Sequence, residues 1–486
     1  MSSRRIGRAS RHAGLCVSLS ITSFLAGLKT GTSGLKHESM LPVHAASDLV
    51  LSVKDFQETG NGNKDDTPGF ADALSKLAEN GGGTLLIPPG TYIVADLQVG
   101  SGTLIKGTGT PLPVLVKRPD ANSILDISSS RFTDSHGALH DITIEYLTLR
   151  GRSVEDGFRE HTHNINAVGV TRFSVQSVRF EAFQGDGIYL GTRRQQNGEL
   201  VHNTDVKVAD NNFDGANNQN RNGVSLIDCS RCILERNVFS HVSRPDMPGA
   251  IDVEPDQKSE IIRDVAMRDN TITGNHGGVG AISIVLNLKD FLVAPGHITV
   301  ENNRIESSKN GITILWRDGP ITQQTQSLDT LVRHNVVKEI GRPMILDGTV
   351  GITVDNNDIS DSRSELQIGC GFGAVGVQFK NNRLHRVGRN SAYGIMLCGP
   401  LSDLVFDRNC FADLGSGQTV GSAIYFARGA ARNVTFSANT FSSPSHVTQV
   451  AIRAATGASF CCGTTAWTGN VLRNRIRPGS FPHVTQ

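Results

Sequence analysis

Short runs of alternating apolar and polar residues recur along most of the chain, at a spacing of roughly 22 to 35 residues. Five runs share one order, in which a small residue is followed by an apolar, a variable and a second apolar position: residues 186–190, 222–226, 249–253, 280–284 and 310–314. A period of two is typical of β-strands with one buried face. The pattern therefore predicts one strand type, repeated many times.

An asparagine followed two positions later by an apolar residue marks the repeat. It occurs at Asn211, Asn237, Asn270, Asn303, Asn335, Asn357, Asn382, Asn409 and Asn439. Asparagine tolerates the left-handed backbone that tight corners require, and stacked amides can hydrogen-bond from coil to coil. We therefore interpret these asparagines as structural. Each repeat is predicted to be one coil of an all-β solenoid whose narrow core no single coil could bury.

Residues 47–110 have a different pattern. Phe70, Ala73, Leu74 and Leu77 recur at helical spacing after Pro68, which predicts an amphipathic helix that begins at Pro68 and is capped by the preceding Asp66 or Thr67. Glycines after residue 80 end it. We expect this short helix to cover the open end of the strand stack, because exposed strand edges pair with other chains.

The same stretch carries a family resemblance. Asp55-Phe56, Asp65-Asp66-Thr67, Gly81-Gly82-Gly83-Thr84 and Pro88-Pro89-Gly90-Thr91-Tyr92 resemble the N-terminal region of the pectate-lyase-like superfamily. The resemblance implies a right-handed parallel β-helix, a single-stranded β-solenoid with a short N-terminal capping helix. It divides the chain into a leader (1–46), the cap with the first coils (47–110) and the remaining β-helix (111–486).

The overall composition excludes several classes. The 52 glycines among 486 residues and the 6% aromatic content argue against a compact helical core. Charge is balanced, with 47 Lys+Arg against 46 Asp+Glu, so no basic surface for nucleic acid is predicted. We expect the eight cysteines to be mostly buried free thiols, with a bridge through Cys461 or Cys462 as the alternative.

The first residues predict export. Arg4, Arg5, Arg8 and Arg11 precede an apolar stretch at 14–28 and then small residues, the order of a cleavable signal. Ser3-Arg4-Arg5 indicates the twin-arginine route as an alternative to general secretion. The apolar stretch is too short and too often interrupted for a membrane span. We expect a periplasmic or extracellular protein, monomeric by default.

One copy of the repeated strand is acidic. Aligning the copies places Tyr189, Ser225, Asp252, Ser283 and Thr313 in one outward ladder. Asp252 and Glu254 then share one face of their strand, about 6 to 7 Å apart. Asp252, Glu254, Asp256 and His276 are the catalytic candidates. The alternative is that these four are ordinary solvated surface residues without a catalytic role.

Other polar groups fall at corresponding strand ends and in loops on the same side. They predict a substrate groove open to solvent, with Trp316 as a platform for a sugar ring. The substrate-binding candidates are Asp186, Tyr189, Arg193, Arg221, Arg244, Trp316, Arg317 and Asp318.

Such a groove suits polysaccharide chemistry. Hydrolysis needs a carboxylic acid and a carboxylate about 5 to 9.5 Å apart, whereas elimination from a uronic acid needs a base and an arginine or cation. No metal ligand set is evident, although the acids could hold Ca²⁺. Polygalacturonase-type motifs transfer poorly, because Asn203-Thr204-Asp205 falls on another face and Asn275-His276-Gly277 replaces Gly-His-Gly.

We therefore expect an exported carbohydrate-active enzyme acting on an acidic polysaccharide. Lyase, hydrolase and C5-epimerase remain open in that order. The rivals are a non-catalytic glycan-binding or envelope-surface solenoid and a β-helix without a surviving site. Restriction of the acids to one coil favours an enzyme.

Overall fold

The computed structural model describes residues 47–133, 137–195, 197–287, 290–317, 327–417, 421–456, 458–460, 466–474 and 476–479. These residues form one parallel β-helix in which each coil contributes a strand to each of three faces, here called sheets 1, 2 and 3. Sheets 1 and 2 are linked into one 31-stranded hydrogen-bonded network, and sheet 3 has 15 strands. The fold predicted from the repeat is confirmed.

Sheet 1 carries the acidic strand. Its strands are Leu97–Gln98, Ser123–Ile127, His163–Val168, Ile188–Gly191, Val224–Leu226, Ile251–Val253, Ile282–Leu286, Asn310–Trp316, Arg342–Asp347, Leu366–Ile368, Tyr393–Cys398, the first part of Gly421–Ser437, Thr448–Ala454 and Arg477–Gly479.

Sheet 2 follows sheet 1 along each coil. Its strands are Val50–Ser52, Gly83–Ile87, Thr103–Gly107, Leu139–Glu145, Val170–Gln176, Thr204–Ala209, Cys229–Glu235, Ile262–Arg268, Gly296–Glu301, Thr330–Arg333, Thr349–Val350, Ile352–Asp355, Ala374–Val375, Gln378–Lys380, Leu401–Asp407, the second part of Gly421–Ser437, Ala458–Phe460 and Ala466–Thr468.

Sheet 3 closes each coil, and from Asn212–Asp214 onward each of its strands follows an asparagine corner. Its strands are Asn61–Asp65, Thr91–Val94, Val114–Lys117, Thr148–Arg150, Arg179–Glu181, Asn212–Asp214, Val238–Ser240, Thr271–Thr273, Arg304–Glu306, Val336–Lys338, Asp358–Ser360, Arg383–His385, Cys410–Ala412, Thr440–Ser442 and Val471–Leu472. A small antiparallel hairpin, Arg193–Arg194 with Leu200–Val201, projects beside sheet 1.

The asparagine ladder is continuous, and of the two reasons expected for it the structure confirms the hydrogen bonds from coil to coil but not the left-handed backbone. Asn270 Nδ2 donates to Asn303 Oδ1 at 3.0 Å, and Asn270 Oδ1 accepts from the backbone N–H of Asn237 at 3.0 Å. The left-handed residue of each corner is the one before the asparagine, for example Arg236 and Asp269. Asparagine is therefore required for its amide, which satisfies buried backbone groups, and not for its backbone freedom.

The N-terminal helix spans Thr67–Glu79, one residue earlier than predicted, and buries Phe70, Ala73, Leu74 and Leu77. Two shorter 3-10 turns, Val53–Phe56 and Ser130–Phe132, and the helical turn Ser153–Asp156 complete the helical elements of the described chain. Asp66 does not cap the helix with its side chain. Its Oδ2 accepts from the Ile93 N–H at 3.0 Å instead, which ties the helix to sheet 3.

The expectation of free thiols was wrong for all five cysteines that the structure describes. Cys229 is bonded to Cys232 and Cys370 to Cys398, and Cys410 is also disulfide-bonded. Both bridges join positions that strand geometry brings close, which sequence spacing alone did not reveal. Residues 1–46, Asp318, Cys461 and Cys462 lie outside the described residues, as does the predicted export signal. No described helix has the length and apolar character to cross a membrane.

Candidate functional site: an arginine among carboxylates

The strand register confirms the outward ladder on sheet 1. Tyr189 pairs with Ser225, Ser225 with Asp252, Asp252 with Ser283, and Ser283 with Thr313. The acidic strand Ile251–Val253 turns its two apolar residues into the core, so Asp252 points outward. The sequence alignment of the coils therefore placed this residue on the correct face.

Asp252 is not open to solvent, which corrects the expected groove. Its exposed fraction is 0%, because the turn before the preceding strand lays Arg221 and Asn222 over it. Ser283 Oγ donates to Asp252 Oδ1 at 2.7 Å, and Asn222 Nδ2 donates to Asp252 Oδ2 at 3.2 Å. A substrate cannot touch this carboxyl without displacing the covering side chains.

Arg221 stands at the centre of the cluster. Its guanidinium lies 3.2 Å from Asp186 Oδ2, 3.8 Å from Glu254 Oε2, 3.8 Å from Glu160 Oε1 and 3.9 Å from Asp252 Oδ2. Its side chain is 14% exposed, and although burial alone would lower its pKa, Asp186, Asp252 and Glu254 raise the pKa above its usual range. One cation is thus shared among several acids.

Asp186 is the buried anchor of Arg221. Its exposed fraction is 0%, and its Oδ1 accepts from the Asn222 N–H at 3.1 Å. Burial alone would raise the pKa of Asp186, but the Arg221 charge and His163, 3.3 Å from Asp186 Oδ2, hold it below its ordinary value. The His163 ring stacks on Tyr189 with centroids 4.9 Å apart. Asp186 therefore remains ionised and fixes the guanidinium.

Asp252 has the opposite electrostatic environment. Burial and the charge of Glu254 raise the pKa of Asp252 to about 7, although Arg221 and the Ser283 hydrogen bond lower it. Asp252 and Glu254 each place an oxygen within 4 Å of the same Arg221 Nη2 atom, so these oxygens are no more than about 8 Å apart. Asp252 therefore binds a proton more tightly than an exposed aspartate does, in contrast to the equally buried Asp186.

Solvent reaches three acids of the cluster, Glu160, Glu254 and Asp256. Glu254 follows the strand and has a side chain that is 22% exposed, and its Oε1 accepts from Asn287 Nδ2 at 3.0 Å. Asp256 is exposed, and partial burial of its carboxyl together with the Glu254 charge raises its pKa. The buried Glu260 holds this turn by accepting from the Asp256 and Gln257 N–H groups. Glu254 thus contacts Arg221 at a partly exposed position, and Asp256 follows it two residues later in the turn.

The structure disperses the other predicted residues. Arg193, in the hairpin, donates hydrogen bonds to the carbonyls of Val168 and Gly169. Arg244 pairs with Asp246 and lies over the Phe158 ring at 4.3 Å. Both are thereby engaged in local structure.

Trp316 contradicts the stacking prediction. It is 7% exposed and packs edge-on against Phe291 with centroids 6.4 Å apart, so its ring faces are not available to a sugar. Trp316 lies in register with the buried Leu286, so its side chain is part of the apolar core. Arg317 and His276 are exposed. No contact joins either of them to the carboxylates within the described chain.

Sequence reasoning missed Asn222, His163, Glu160 and Asn287. Asn222 precedes Gly223 as Asp186 precedes Gly187, so the repeat alignment contained a signal for both corner positions. Glu160 and Asn287 come from turns that have no counterpart in the repeat. Only the folded coils bring them to Arg221 and Glu254.

The carboxylates do not fit a Ca²⁺ site as arranged. Calcium needs several oxygen ligands that converge on one point, and here the Arg221 guanidinium occupies that point. Across the residues that the structure describes, no group of three or more His, Cys, Asp or Glu side chains is arranged to hold a metal ion. We therefore derive no chemistry through calcium.

This fold and its outward acidic cluster define a right-handed parallel β-helix protein of the pectate-lyase-like class. More narrowly, the chain belongs to the rhamnogalacturonase A/epimerase, pectate lyase-like family, whose model matches residues 50–335. A right-handed beta helix region model matches residues 291–472. No curated protein in the comparison matches the chain.

Three solved structures illustrate the fold. The mannuronan C-5 epimerase AlgE6 A-module of Azotobacter vinelandii is 15% identical with a TM-score of 0.54, over 87% of this chain and 99% of that one. A tailspike protein mutant of E. coli bacteriophage HK620 in complex with a hexasaccharide is 14% identical with a TM-score of 0.63, over 88% and 79%. The catalytic unit of a GH87 α-1,3-glucanase from Streptomyces thermodiastaticus is 16% identical with a TM-score of 0.52, over 87% and 68%. At these identities the similarity concerns the fold alone.

Proposed function

We propose that the protein is an exported glycoside hydrolase that cleaves a polysaccharide, with Glu254 and Asp256 as its catalytic residues. The observation that carries the proposal is the contrast between these two accessible carboxyls. Glu254 is held against Arg221 at 3.8 Å, whereas the pKa of Asp256 is raised. Hydrolysis of a glycosidic bond uses one ionised carboxylate and one carboxylic acid, and a carboxyl held against a guanidinium together with a second one whose pKa is raised suits that division of roles.

In this proposal Asp256 protonates the leaving oxygen and Glu254 acts as the base or nucleophile. Arg221 and Asn287 orient the Glu254 carboxylate through its two oxygens. Asp252 and Asp186 are positioning residues, because both are fully buried and contact Arg221. The reaction thus takes place at the outer edge of the cluster and not at its centre.

Elimination, the first expectation from the sequence, is less well supported by this arrangement. A lyase needs an arginine or cation to neutralise the uronate carboxylate of its substrate. Arg221 already faces four carboxyl groups, which would repel another carboxylate at this point. C5-epimerisation also needs a cation or arginine beside the uronate carboxylate, so the same objection applies to it.

The test uses the purified mature chain with a panel of acidic and neutral polysaccharides, following reducing ends and unsaturated product together. We expect reducing ends without unsaturated product, and a loss of kcat of about 10²- to 10⁴-fold in both Glu254→Gln and Asp256→Asn. Glu339→Gln, at an exposed glutamate just after the sheet 3 strand Val336–Lys338, is the matched control.

Other outcomes would contradict the proposal in distinct ways. Unsaturated product would indicate a lyase. Full turnover by both variants would remove these residues from the mechanism. Binding of a polysaccharide without any product would favour the non-catalytic rival.

A further inference from the structure

The turn at residues 254–261 carries both proposed catalytic residues, and two buried carboxyls hold its backbone. Glu260 Oε2 accepts from the Asp256 N–H at 2.6 Å, and Asp228 Oδ1 accepts from the Ile261 N–H at 2.7 Å. The exposed fractions of Glu260 and Asp228 are 2% and 0%. The position of the turn therefore depends on these two side-chain acceptors.

The hairpin beside sheet 1 is attached to both of these carboxyls. Thr192, just before its first strand, donates to Glu260 Oε1 at 3.3 Å. His202, just after its second strand, places Nδ1 2.7 Å from Asp228 Oδ1. The two ends of the hairpin thus reach the two side chains that hold the turn.

This hairpin is an insertion in the repeat. In the next coil Ile227 and Asp228 alone separate the sheet 1 strand from the sheet 2 strand, whereas here residues 192–203 do so. The first strand of the hairpin also reaches the turn directly, because Arg194 Nη2 donates to Gln257 Oε1 at 3.1 Å. An element that the repeat does not require is therefore attached to the turn of the proposed site.

His202 is the member of this arrangement that titrates near neutral pH. Its hydrogen bond to Asp228 raises the pKa of His202 above its ordinary value of 6.5; burial opposes this shift, and the charge of Glu260 supports it. A buried carboxylate that loses its basic partner takes up a proton or admits water, and both changes weaken its bonds to N–H groups. Asp228 therefore holds the Ile261 N–H most firmly while His202 is protonated.

We propose that His202 is a positioning residue of the hydrolytic site, which acts through Asp228 on the turn that carries Glu254 and Asp256. The inference rests on the proposed function and adds a regulation of that same site by pH. His202 contributes no group to the chemical step. Its effect falls on kcat, because displacing a catalytic group by about 1 Å can cost about 10²-fold in rate.

The direction of the pH effect follows from the raised pKa of His202. Its contribution to holding the turn is complete below pH 6.5 and is lost as the pH rises through the raised value. Protection of the turn amides in the native protein should therefore decrease between pH 6 and pH 8, after correction for intrinsic exchange.

The experiment measures hydrogen exchange by mass spectrometry in peptides that cover residues 254–262, with the full chain at pH 6 and pH 8. His202→Leu removes the donor and the charge, whereas His202→Asn keeps a donor close to the position of Nδ1 without a charge. His140→Leu is the matched control, because His140 Nδ1 also lies 2.7 Å from an aspartate oxygen and the side chain is 32% exposed, against 31% for His202.

We expect the turn amides at pH 6 to exchange at least about tenfold faster in His202→Leu than in the native protein, since a hydrogen bond to a charged group is lost. His140→Leu should leave them unchanged. In His202→Asn, exchange at pH 8 should match the native protein, and the difference between pH 6 and pH 8 should disappear. With the polymer that the native chain cleaves, kcat of His202→Leu should fall about 10- to 100-fold while KM stays within about twofold.

Unchanged exchange in His202→Leu, or an equal increase in His140→Leu, would overturn the inference. A native pH dependence that persists in His202→Asn would also overturn it, and this variant decides the matter if His202→Leu does not fold. Faster exchange with an unchanged kcat would refute the positioning role and leave the hydrolase standing. If the native chain cleaves no polymer, the hydrolase proposal fails, and the exchange data alone decide whether His202 controls the turn.

Discussion

Removal of Arg221 should expose how strongly the cluster depends on one cation. In Arg221→Met the fully buried Asp186 loses its closest positive partner, which lies at 3.2 Å, and Asp252 loses the guanidinium that lies 3.9 Å from its Oδ2. Breaking a buried ion pair by deleting one partner costs about 3 to 5 kcal/mol. We expect that loss in the free energy of unfolding of these coils at pH 7.

The loss should depend on pH, and its sign follows from Asp186. In the native protein the pKa of Asp186 lies below its ordinary value of 3.8, so its stabilisation is present above that value and is lost only at lower pH. Without Arg221, burial would raise the pKa of Asp186 instead. The difference between the two proteins should therefore be largest at neutral pH and shrink as the pH falls toward 4.

Hydrogen exchange followed by mass spectrometry is the suitable assay, because coils of a solenoid can open locally. Peptides that cover residues 216–256 report the cluster. Arg231→Met is the matched control, since Arg231 pairs with Asp205 at 2.7 Å on an exposed surface, where an ion pair contributes at most about 1 kcal/mol. A loss below about 1 kcal/mol in Arg221→Met, or a loss that does not change with pH, would refute this reasoning.

Three further predictions concern the scaffold. Burial, together with the hydrogen bond and charge of Glu58, raises the pKa of Asp66 to about 6, so the folded state loses stability as the pH rises from 3.8 to about 6. At pH 8 Asp66→Asn should therefore unfold at a higher temperature than the native protein, with a free energy of unfolding larger by up to about 3 kcal/mol. At pH 4 the free energy of unfolding should change little, and an equal gain at both pH values would contradict this cause. Asn270→Ala should cost about 3 kcal/mol or more in urea unfolding, because it strands buried backbone groups of two coils, and a cost below 1 kcal/mol would argue against the ladder. Replacing Cys370 and Cys398 by serines should lower the free energy of unfolding by about 3.5 kcal/mol, and replacing Cys229 and Cys232 by about 1.5 kcal/mol. The difference is expected because the first disulfide closes a loop with a sequence separation of 28 residues and the second one of 3 residues. The reverse order would contradict the loop-entropy argument.

The sequence by itself determined the coil. Alternation with a period of two, the asparagine at each corner and the helix after Asp66 are local patterns, because the physics of strands and caps acts within a few residues. Repetition then fixed the register, which is why the ladder Tyr189, Ser225 and Asp252 could be aligned before any coordinates. Its acidic copy identified the candidate site.

Only the tertiary structure decided what surrounds that site. Turns differ from coil to coil, so no repeat pattern could show that Arg221 would cover Asp252 or that Glu160 would reach Arg221. The same holds for Trp316, whose burial depends on Phe291 in a neighbouring turn. Burial depends on segments that are distant in sequence, so only the structure could show that Asp252 is buried and Asp256 exposed, although both were catalytic candidates from the sequence.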